Sequence, residues 1–540
     1  MYMFPALLPI VAALGMLLFF RMTPGKALPL SALMTVVIGI AMWHMPSLNV
    51  AAAVTLGVCK ALDIVLIIFG AVLLLNVMRE CGLMQVVTAS LFKVTPDRRI
   101  QVLLIAWLFS GLIEGAAGFG AAPALVAPLL AGLGFPVFTA VVVALVCNTL
   151  PVPFGAVGTP VLTLFSTMSS EVAEPDLFAR GVLENLTLIS GISGIFIPLF
   201  AVGMMIFGTP GKNRWRAFWE ITPLSLLAGA LFIVPWRLCA IWLGPELPSI
   251  MGAVAGLPLM LLVLKLRFFV PHRVWDFAEN PAGATAVSVA EPVGQKKNIT
   301  AIQAWMPYIL LAGILLLIKV DFLPFKSWIN RLPAIAWRSC WGVPESGFCW
   351  NIFNNPGVVP LFLLGCGIYW YHHRNLKGFA PVIGSTVKQI WMASLAIIAS
   401  MVMVQVMIFS RFNPAGLPGM LNCVAQGCVD GLGRYFLWIS PFLGVLGTFV
   451  AGSCTVSNIL FAPLQFDTAQ LLGLPETITV ALQNVGGGLG SMIRISGVIA
   501  ACATVNLKGQ EGKIIFLNML PTLVLGLLAL GVGALLIAIR

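Results

Sequence analysis

Residues 100–135 read IQVLLIAWLFSGLIEGAAGFGAAPALVAPLLAGLGF, two apolar arms around a glycine- and alanine-rich centre that carries one carboxylate, Glu114. An arm of about 15 residues rises only about 22 Å as a helix, short of the ~30 Å hydrocarbon core of a bilayer. Two half-crossings joined by an irregular tip make a re-entrant hairpin. Backbone of that kind is tolerated at membrane depth only where protein or a water-filled cavity surrounds it. Residues 435–475, YFLWISPFLGVLGTFVAGSCTVSNILFAPLQFDTAQLLGLP, repeat the plan, with a tip at GSCTVSN, Gly452 to Asn458.

The rest of the chain also suits a bilayer. Of its 540 residues 60% are hydrophobic and 9% charged, where a soluble domain carries about 25% charged residues. That excludes a soluble protein, a disordered chain, a disulfide scaffold and a nucleic-acid binder. Apolar runs suited to crossing lie at 4–20, 27–44, 61–79, 137–168, 181–207, 221–243, 249–269, 299–318, 357–371, 389–409, 477–505 and 514–539. The run 357–371 is short, and 137–168 and 477–505 are long and interrupted. The first run lacks a charged leader and a small-residue cleavage site, so it reads as a retained helix rather than a signal peptide. The predicted fold is an all-α polytopic membrane protein with about 12 transmembrane helices and two hairpins.

The charges set orientation. The formal charge of +11 comes from Lys and Arg in short connections. With the N-terminus outside and both hairpins returning to the side they left, 19 of the 30 basic residues fall in cytoplasmic connections: Arg21 and Lys26, Arg79 to Arg99, Lys212 to Arg216, Lys265 to Lys297, Arg374 to Lys388, and Lys508 with Lys513. Counting either hairpin as one crossing would turn 212–216 or 508–513 outward, against the positive-inside rule. The first hairpin then enters from the cytoplasm and the second from outside, as an inverted repeat predicts. LAGLGFP at 130–136 parallels AQLLGLP at 469–475, and VALVCN at 143–148 parallels VALQN at 480–484. The expected organisation is an N-terminal repeat, 1–269, a cytoplasmic linker, 270–298, and a C-terminal repeat, 299–540.

In each half the hairpin precedes an interrupted helix: NTLPVPFGAVGTP from Asn148 to Pro160, and QNVGGGLGSMIR from Gln483 to Arg494. Interruptions place helix N-termini, with free N–H groups and partial positive charge, at the membrane midplane, where they receive a carboxylate. Glu114 is expensive there as an anion and reads as a protonation site or as one half of a fixed ion pair. Arg494 reads as a two-pronged carboxylate ligand or as the counter-ion of Glu114. The candidate substrate contacts are Gly115, Gly118, Phe119 and Gly120 at the first tip, and Asn148 and Thr149 at the first break. At the second tip they are Ser453, Cys454, Thr455, Ser457 and Asn458, and at the second break Asn484, Ser491 and Arg494. Phe119 suits a gate or wall for a short aliphatic substrate, or simple packing. Eleven cysteines form no CxxC pair and no zinc-spaced cluster, so neither a metal nor a cofactor is expected. Cys340 with Cys349, and Cys423 with Cys428, lie in predicted outside loops where disulfides can form. Homo-oligomerisation is left open.

LIEGAAGFGA at 112–121, GLGF at 132–135 and NTLPVPFGAVGTP closely resemble the lactate permease family of bacterial inner-membrane transporters. GSCTVSN, LQFDTAQLLGLPET, NVGGGLGSMI and GVIAACATVNLKGQEGK resemble that family's C-terminal signature. The resemblance implies a multi-pass inner-membrane protein that takes up small 2-hydroxy-monocarboxylates, lactate and glycolate, with protons. It also implies a wider superfamily whose sodium-coupled dicarboxylate members have two opposed hairpins and an elevator-like movement. The chain departs from the pattern where the family usually has Asp in the second tip, here Cys454, and Lys in the second break, here Ser491. Arg494 follows three residues on, and Glu114 is left as the main candidate for proton coupling. The alternative is a sodium-coupled symporter of another small carboxylate or sulfonate on the same fold.

Overall fold

The computed structural model describes residues 2–92, 94–210, 213–277, 299–319, 325, 328–329 and 331–539. Most of the expected linker, 278–298, lies outside the described residues. In chain order the helices used below are α1 (Met3–Leu18), α2 (Pro24–Ala41), α3 (Ser47–Glu80), α4 (Leu83–Phe92), α5 (Arg98–Ala117), α6 (Ala121–Gly132), α7 (Val137–Cys147), α8 (Gly155–Met168), α9 (Pro175–Gly208) and α10 (Arg214–Leu243). They continue with α11 (Pro248–Lys265), α12 (Ala301–Lys319), α13 (Leu363–His373), α14 (Phe379–Phe409), α15 (Met420–Leu432), α16 (Phe436–Ala451), α17 (Cys454–Leu472), α18 (Glu476–Leu489), α19 (Ile495–Thr504) and α20 (Glu511–Ile539). By length and composition, 11 helices among the described residues can cross a membrane, or 12 if the bent pair α7/α8 is one span.

Burial sorts these helices. A helix that is apolar on every face belongs in the interior, and the most apolar window of α5 is 100% buried, whereas that of α20 is 33% buried and faces lipid. Residues Val102–Phe109 of α5 are wound as a π-helix, a local under-winding common near functional sites.

Both hairpins close. In the first, the Arg98 guanidinium at the start of α5 lies 5.7 Å from the ring centroid of Phe135, just past α6, so the chain has returned to its starting level. In the second, Ser457 Oγ donates to the Gly444 carbonyl (3.0 Å) and Gln465 Nε2 to the Ser440 carbonyl (2.9 Å), the antiparallel pairing expected of arms folded about Gly452 and Ser453. Their bases lie on opposite faces. Arg98 pairs with Asp276 beyond α11 (2.9 Å) on the face where α10 begins, while Asn185 near the start of α9 bonds Thr477 at the far base (3.1 Å).

Two apolar cores result. One joins the arms of the first hairpin, α7, α9, α10, α11 and α18 to α20, and takes in α4, α12, α13, the inner half of α3 (Ile67 to Met78) and the start of α14 (Phe379, Val382). The other joins α1, α2, α3, α14 and α15, and reaches Ala451, Val456 and Phe461 of the second hairpin. Glycines set one close approach between elements: a Cβ on Gly70 of α3 would overlap the Gly357 carbonyl and one on Gly357 the Leu66 carbonyl, which seats the short span 357–373 on α3.

The structure extends the sequence expectation in places. α3 has 34 residues rather than the expected 61–79, so it rises about 51 Å and projects beyond the bilayer. Its outer turns are covered by a segment with a short antiparallel hairpin, β1 (Ile335–Trp337) with β2 (Phe348–Trp350), and Trp350 and Asn355 both bond Asp63 (3.0 and 2.7 Å). The helices α4 and α15 lie outside the apolar runs that the sequence marks for crossing. Cys340, Cys349, Cys423 and Cys428 are all free thiols.

Candidate functional site

The first break is made by backbone rather than by side chains. α7 ends at Cys147, a 3₁₀ turn spans Val152–Phe154, and Ala156, Val157 and Gly158 are left-handed, with φ of 44°, 53° and 80°. Right-handed helix resumes at Thr159, after a bend of 67°. The first tip holds a matching run, Gly118, Phe119 and Gly120, with φ of 63°, 54° and 77°. Left-handed Phe, Ala and Val are uncommon and each is strained by about 1–3 kcal/mol, a cost met most often at functional sites. The two runs touch, since a Cβ on Gly118 would lie 2.6 Å from Ala156 Cβ.

Around this contact four helix N-termini converge: α6 from the first tip, α8 from Thr159, α17 from the second tip, and α19, whose N-cap is Arg494. They enclose a cavity of about 20 Å³ lined by Glu114, Phe119, Thr159, Ser453, Cys454 and Arg494 among others. That is room for about one water. Gly120 is required here twice over, by its φ and because Arg494 Nη2 occupies the place of any Cβ.

The charged pair at this cavity is not closed on itself. Asn148 Nδ2 donates to Glu114 Oε2 (3.1 Å), and Ser110 Oγ in turn to Asn148 Oδ1 (3.4 Å). Arg494 is 5% exposed and its Nε has no acceptor. No ion pair joins it to Glu114 among the described residues. A buried guanidinium aimed into a cavity ringed by helix N-termini is a receptor for an anion.

On one side the cavity is continued by a second space of about 300 Å³, reached past Phe119 and Ser453 and lined by Gly25, Val72, Gln389 and Ala393. These belong to the start of α2, the end of α3 and the start of α14. Asn76 bonds Thr386 on that side (3.0 Å), so this is the face of the basic connections.

A family model described as L-lactate permease matches residues 3–539. The L-lactate permease of Escherichia coli K12 is 30% identical over 94% of this chain and 91% of its own length. The L-lactate permease of Bacillus subtilis is 29% identical over the same shares, 94% and 91%. The chain belongs to the L-lactate permease family. As a family member it is a multi-pass inner-membrane transporter and not an enzyme. The glycolate permease GlcA of Escherichia coli K12 is 30% identical over 94% of this chain and 91% of its own. Among solved structures, the Alcanivorax borkumensis YdaH transporter aligns with a TM-score of 0.44 and 16% identity, covering 87% of this chain and 84% of that one.

Not every residue singled out in this lactate-permease-family sequence meets the cavity. Glu114, Gly118, Phe119, Ser453, Cys454, Thr455 and Arg494 line it, and Asn148 and Gly120 support it. Gly115 instead packs on Ser249 and Ile250 of α11. Thr149 donates to its own helix at the Val146 carbonyl (2.8 Å), and Ser457 braces the second hairpin. Asn458 Nδ2 bonds the Pro160 carbonyl and Asn484 Oδ1 (both 3.1 Å), tying the second tip to the first break. Asn458 Oδ1, Asn484 Nδ2 and Ser491 Oγ are buried with no partner among the described residues.

The second break is shorter than its sequence suggests. Gly486 to Gly488 stay helical, with Gly486 against the Pro441 carbonyl, and only Gly490 to Arg494 leave the helix. Gly155, Ala156, Thr159 and Pro160 also line the cavity and were not singled out individually. Their signal was the Gly-Pro punctuation of FGAVGTP.

Proposed function

We propose that this chain imports small 2-hydroxy-monocarboxylates, lactate and glycolate, by proton symport, using two inverted repeats, 1–269 and 299–540. One observation carries the reading: the buried Arg494 guanidinium, whose Nε has no partner, and four helix N-termini surround one cavity that also holds Glu114. The names of the relatives, L-lactate and glycolate permeases, support the substrate class.

Coupling follows from charge. Empty, with Glu114 ionised and Arg494 protonated, the site is neutral. A bound monoanion makes it −1, a bound proton alone makes it +1, and both together restore neutrality. Moving a net charge through the low-dielectric barrier is expensive, so only the empty and the fully loaded forms cross readily. That is symport of one proton per monocarboxylate. The carboxylate sits on the N-termini and Arg494, and the proton resides on Glu114, steadied by Asn148 in either form.

A cavity for about one water does not hold lactate, so loading requires the tips to separate. The core of α1, α2, α3 and α14 serves as the scaffold, and the hairpin-bearing body moves the site between faces. The test is uptake of labelled lactate and glycolate into vesicles under an imposed pH gradient, with and without sodium. Accumulation that follows the pH gradient and ignores sodium is expected. Accumulation that requires sodium would replace the proton by Na⁺, for which Glu114 and the carbonyls of the first break are suitable ligands.

A further inference from the structure

The outer ends of the two bodies are joined by a charged contact that the binding cavity does not use. Glu171 lies between α8 and α9, on the hairpin-bearing body, and Arg411 follows α14 on the scaffold. Arg411 Nη1 reaches both oxygens of Glu171, at 3.0 and 3.1 Å, and its Nη2 reaches Glu345 Oε2 at 2.9 Å. Glu345 belongs to the segment anchored on α3, where Trp341 Nε1 bonds Thr55 (2.9 Å), so it holds Arg411 from the scaffold side. The side chain of Glu171 is only 13% exposed. Below this contact the bodies meet through apolar groups such as Val456 and Phe461 against the α3/α14 core, a surface that favours no single register.

The contact lies on the face opposite the 300 Å³ space that leads from Phe119 and Ser453 toward the cytoplasm. We propose that Arg411 is the outer gate of the transport cycle: by clamping Glu171 to the scaffold it holds the outside shut while the cytoplasmic side is open. The inference rests on the two-body reading above. Its physical core is the asymmetry of buried pairs, in which removing one partner leaves the other charge uncompensated. Without Arg411 the closed outer face would bury the Glu171 carboxylate with its hydrogen-bonded cation gone and only Lys60 of α3, buried and making no hydrogen bond, acting on it from a distance, and the equilibrium would move toward the state that exposes it. Because Arg411 is partly exposed, the shift is moderate rather than absolute.

The test measures access and not uptake. Ala393→Cys places a thiol in the cytoplasmic space, read with a membrane-impermeant maleimide in inside-out vesicles as labelling gained over the parent protein. R411Q is expected to slow that labelling about threefold, a change in the populations of two states. R411K, with one prong in place of two, is expected to fall between, and it serves if R411Q does not fold. E345Q, which leaves the clamp between bodies intact, is expected to stay near the parent rate. Unchanged labelling in both Arg411 variants overturns the proposal, as does an E345Q effect equal to that of R411Q, which would mean loop anchoring alone. Labelling needs no substrate, so failure of lactate uptake in the parent protein would reject the transport reading separately.

Discussion

The carboxylate of Glu114 is held by the amide of Asn148 at 3.1 Å while Arg494, lining the same cavity, makes no ion pair with it. The two charges line one cavity and act on one another across it, so an anion bound there meets Arg494 without first breaking a closed pair. An already closed pair would have to be broken for binding, at the full cost of stranding a buried charge.

Glu114→Gln separates coupling from binding. The empty site then carries +1 and the anion-loaded site is neutral, so the loaded form still crosses and the empty form returns poorly. Lactate–lactate exchange is expected to persist while net pH-driven accumulation falls by at least about tenfold, the effect of ~1.4 kcal/mol on the return barrier. Counterflow and net uptake measured in the same vesicles check it, and full gradient-driven accumulation in the variant would remove Glu114 from the proton role.

Arg494→Lys keeps the charge and removes the planar fork. The shorter, single-pointed ammonium also cannot fill the place against Gly120 and Gly497 that the guanidinium occupies. The expected result is a 10- to 100-fold rise in lactate KM, about 1.4–2.8 kcal/mol, with stability little changed. Uptake kinetics beside a thermal melt distinguish lost recognition from a misfolded protein.

Much of this architecture is legible in the residues, and where it is not there are physical reasons. The hairpins can be read because Gly115–Gly120 and Gly452–Ser453 interrupt the apolar runs, although the first arm, α5, is 20 residues long rather than the expected 15 or so. The first break can be read because Pro151, Pro153 and Pro160 cannot continue a helix unaided. The left-handed Ala156 and Val157 cannot be read, since nothing in an alanine or valine announces positive φ; contact with the Gly118 run imposes it. The run Gly486–Gly488 misleads in the other direction. Glycine signals either a flexible backbone or a close approach, and only the position of the Pro441 carbonyl decides between them. The outer turns of α3 are illegible for a third reason: Lys60 ends the apolar window, and the segment that covers those turns, with Trp341 bonded to Thr55, lies almost 300 residues away.

That distinction among glycines is measurable. A Cβ on Gly486 would overlap the Pro441 carbonyl, backbone against backbone, whereas Gly531 in α20 has nothing within 4 Å of its Cβ position. Gly486→Ala is therefore expected to destabilise by about 1–3 kcal/mol or more as α16 and α18 are forced apart. Gly531→Ala is expected to stabilise by about 0.5–1 kcal/mol through helix propensity alone. Opposite shifts in melting temperature are the expected outcome, and a neutral Gly486→Ala would mean that the helix contact relaxes freely.

Asp97→Asn tests what holds the first hairpin at its base. Arg99 is fully buried at the start of α5, bonded to Asp97 through Nε (3.1 Å) and Nη2 (2.7 Å), to the Ala217 carbonyl of α10 (3.0 Å) and to the Arg273 carbonyl (2.7 Å). Asp97 also accepts from the backbone N–H groups of Arg99 (2.9 Å) and Trp275 (3.1 Å). This one carboxylate thus caps α5, neutralises Arg99 and fastens the chain beyond α11. Replacing it leaves a buried guanidinium with only carbonyls and, at 3.5 Å, Glu220. A loss of about 3–5 kcal/mol is expected, as for other buried pairs broken on one side. The site lies at the far end of the hairpin from Glu114 and Arg494, so whatever protein folds should keep the parent KM for lactate. A KM that rises with the loss of stability would instead mean that the base of the hairpin sets the position of its tip.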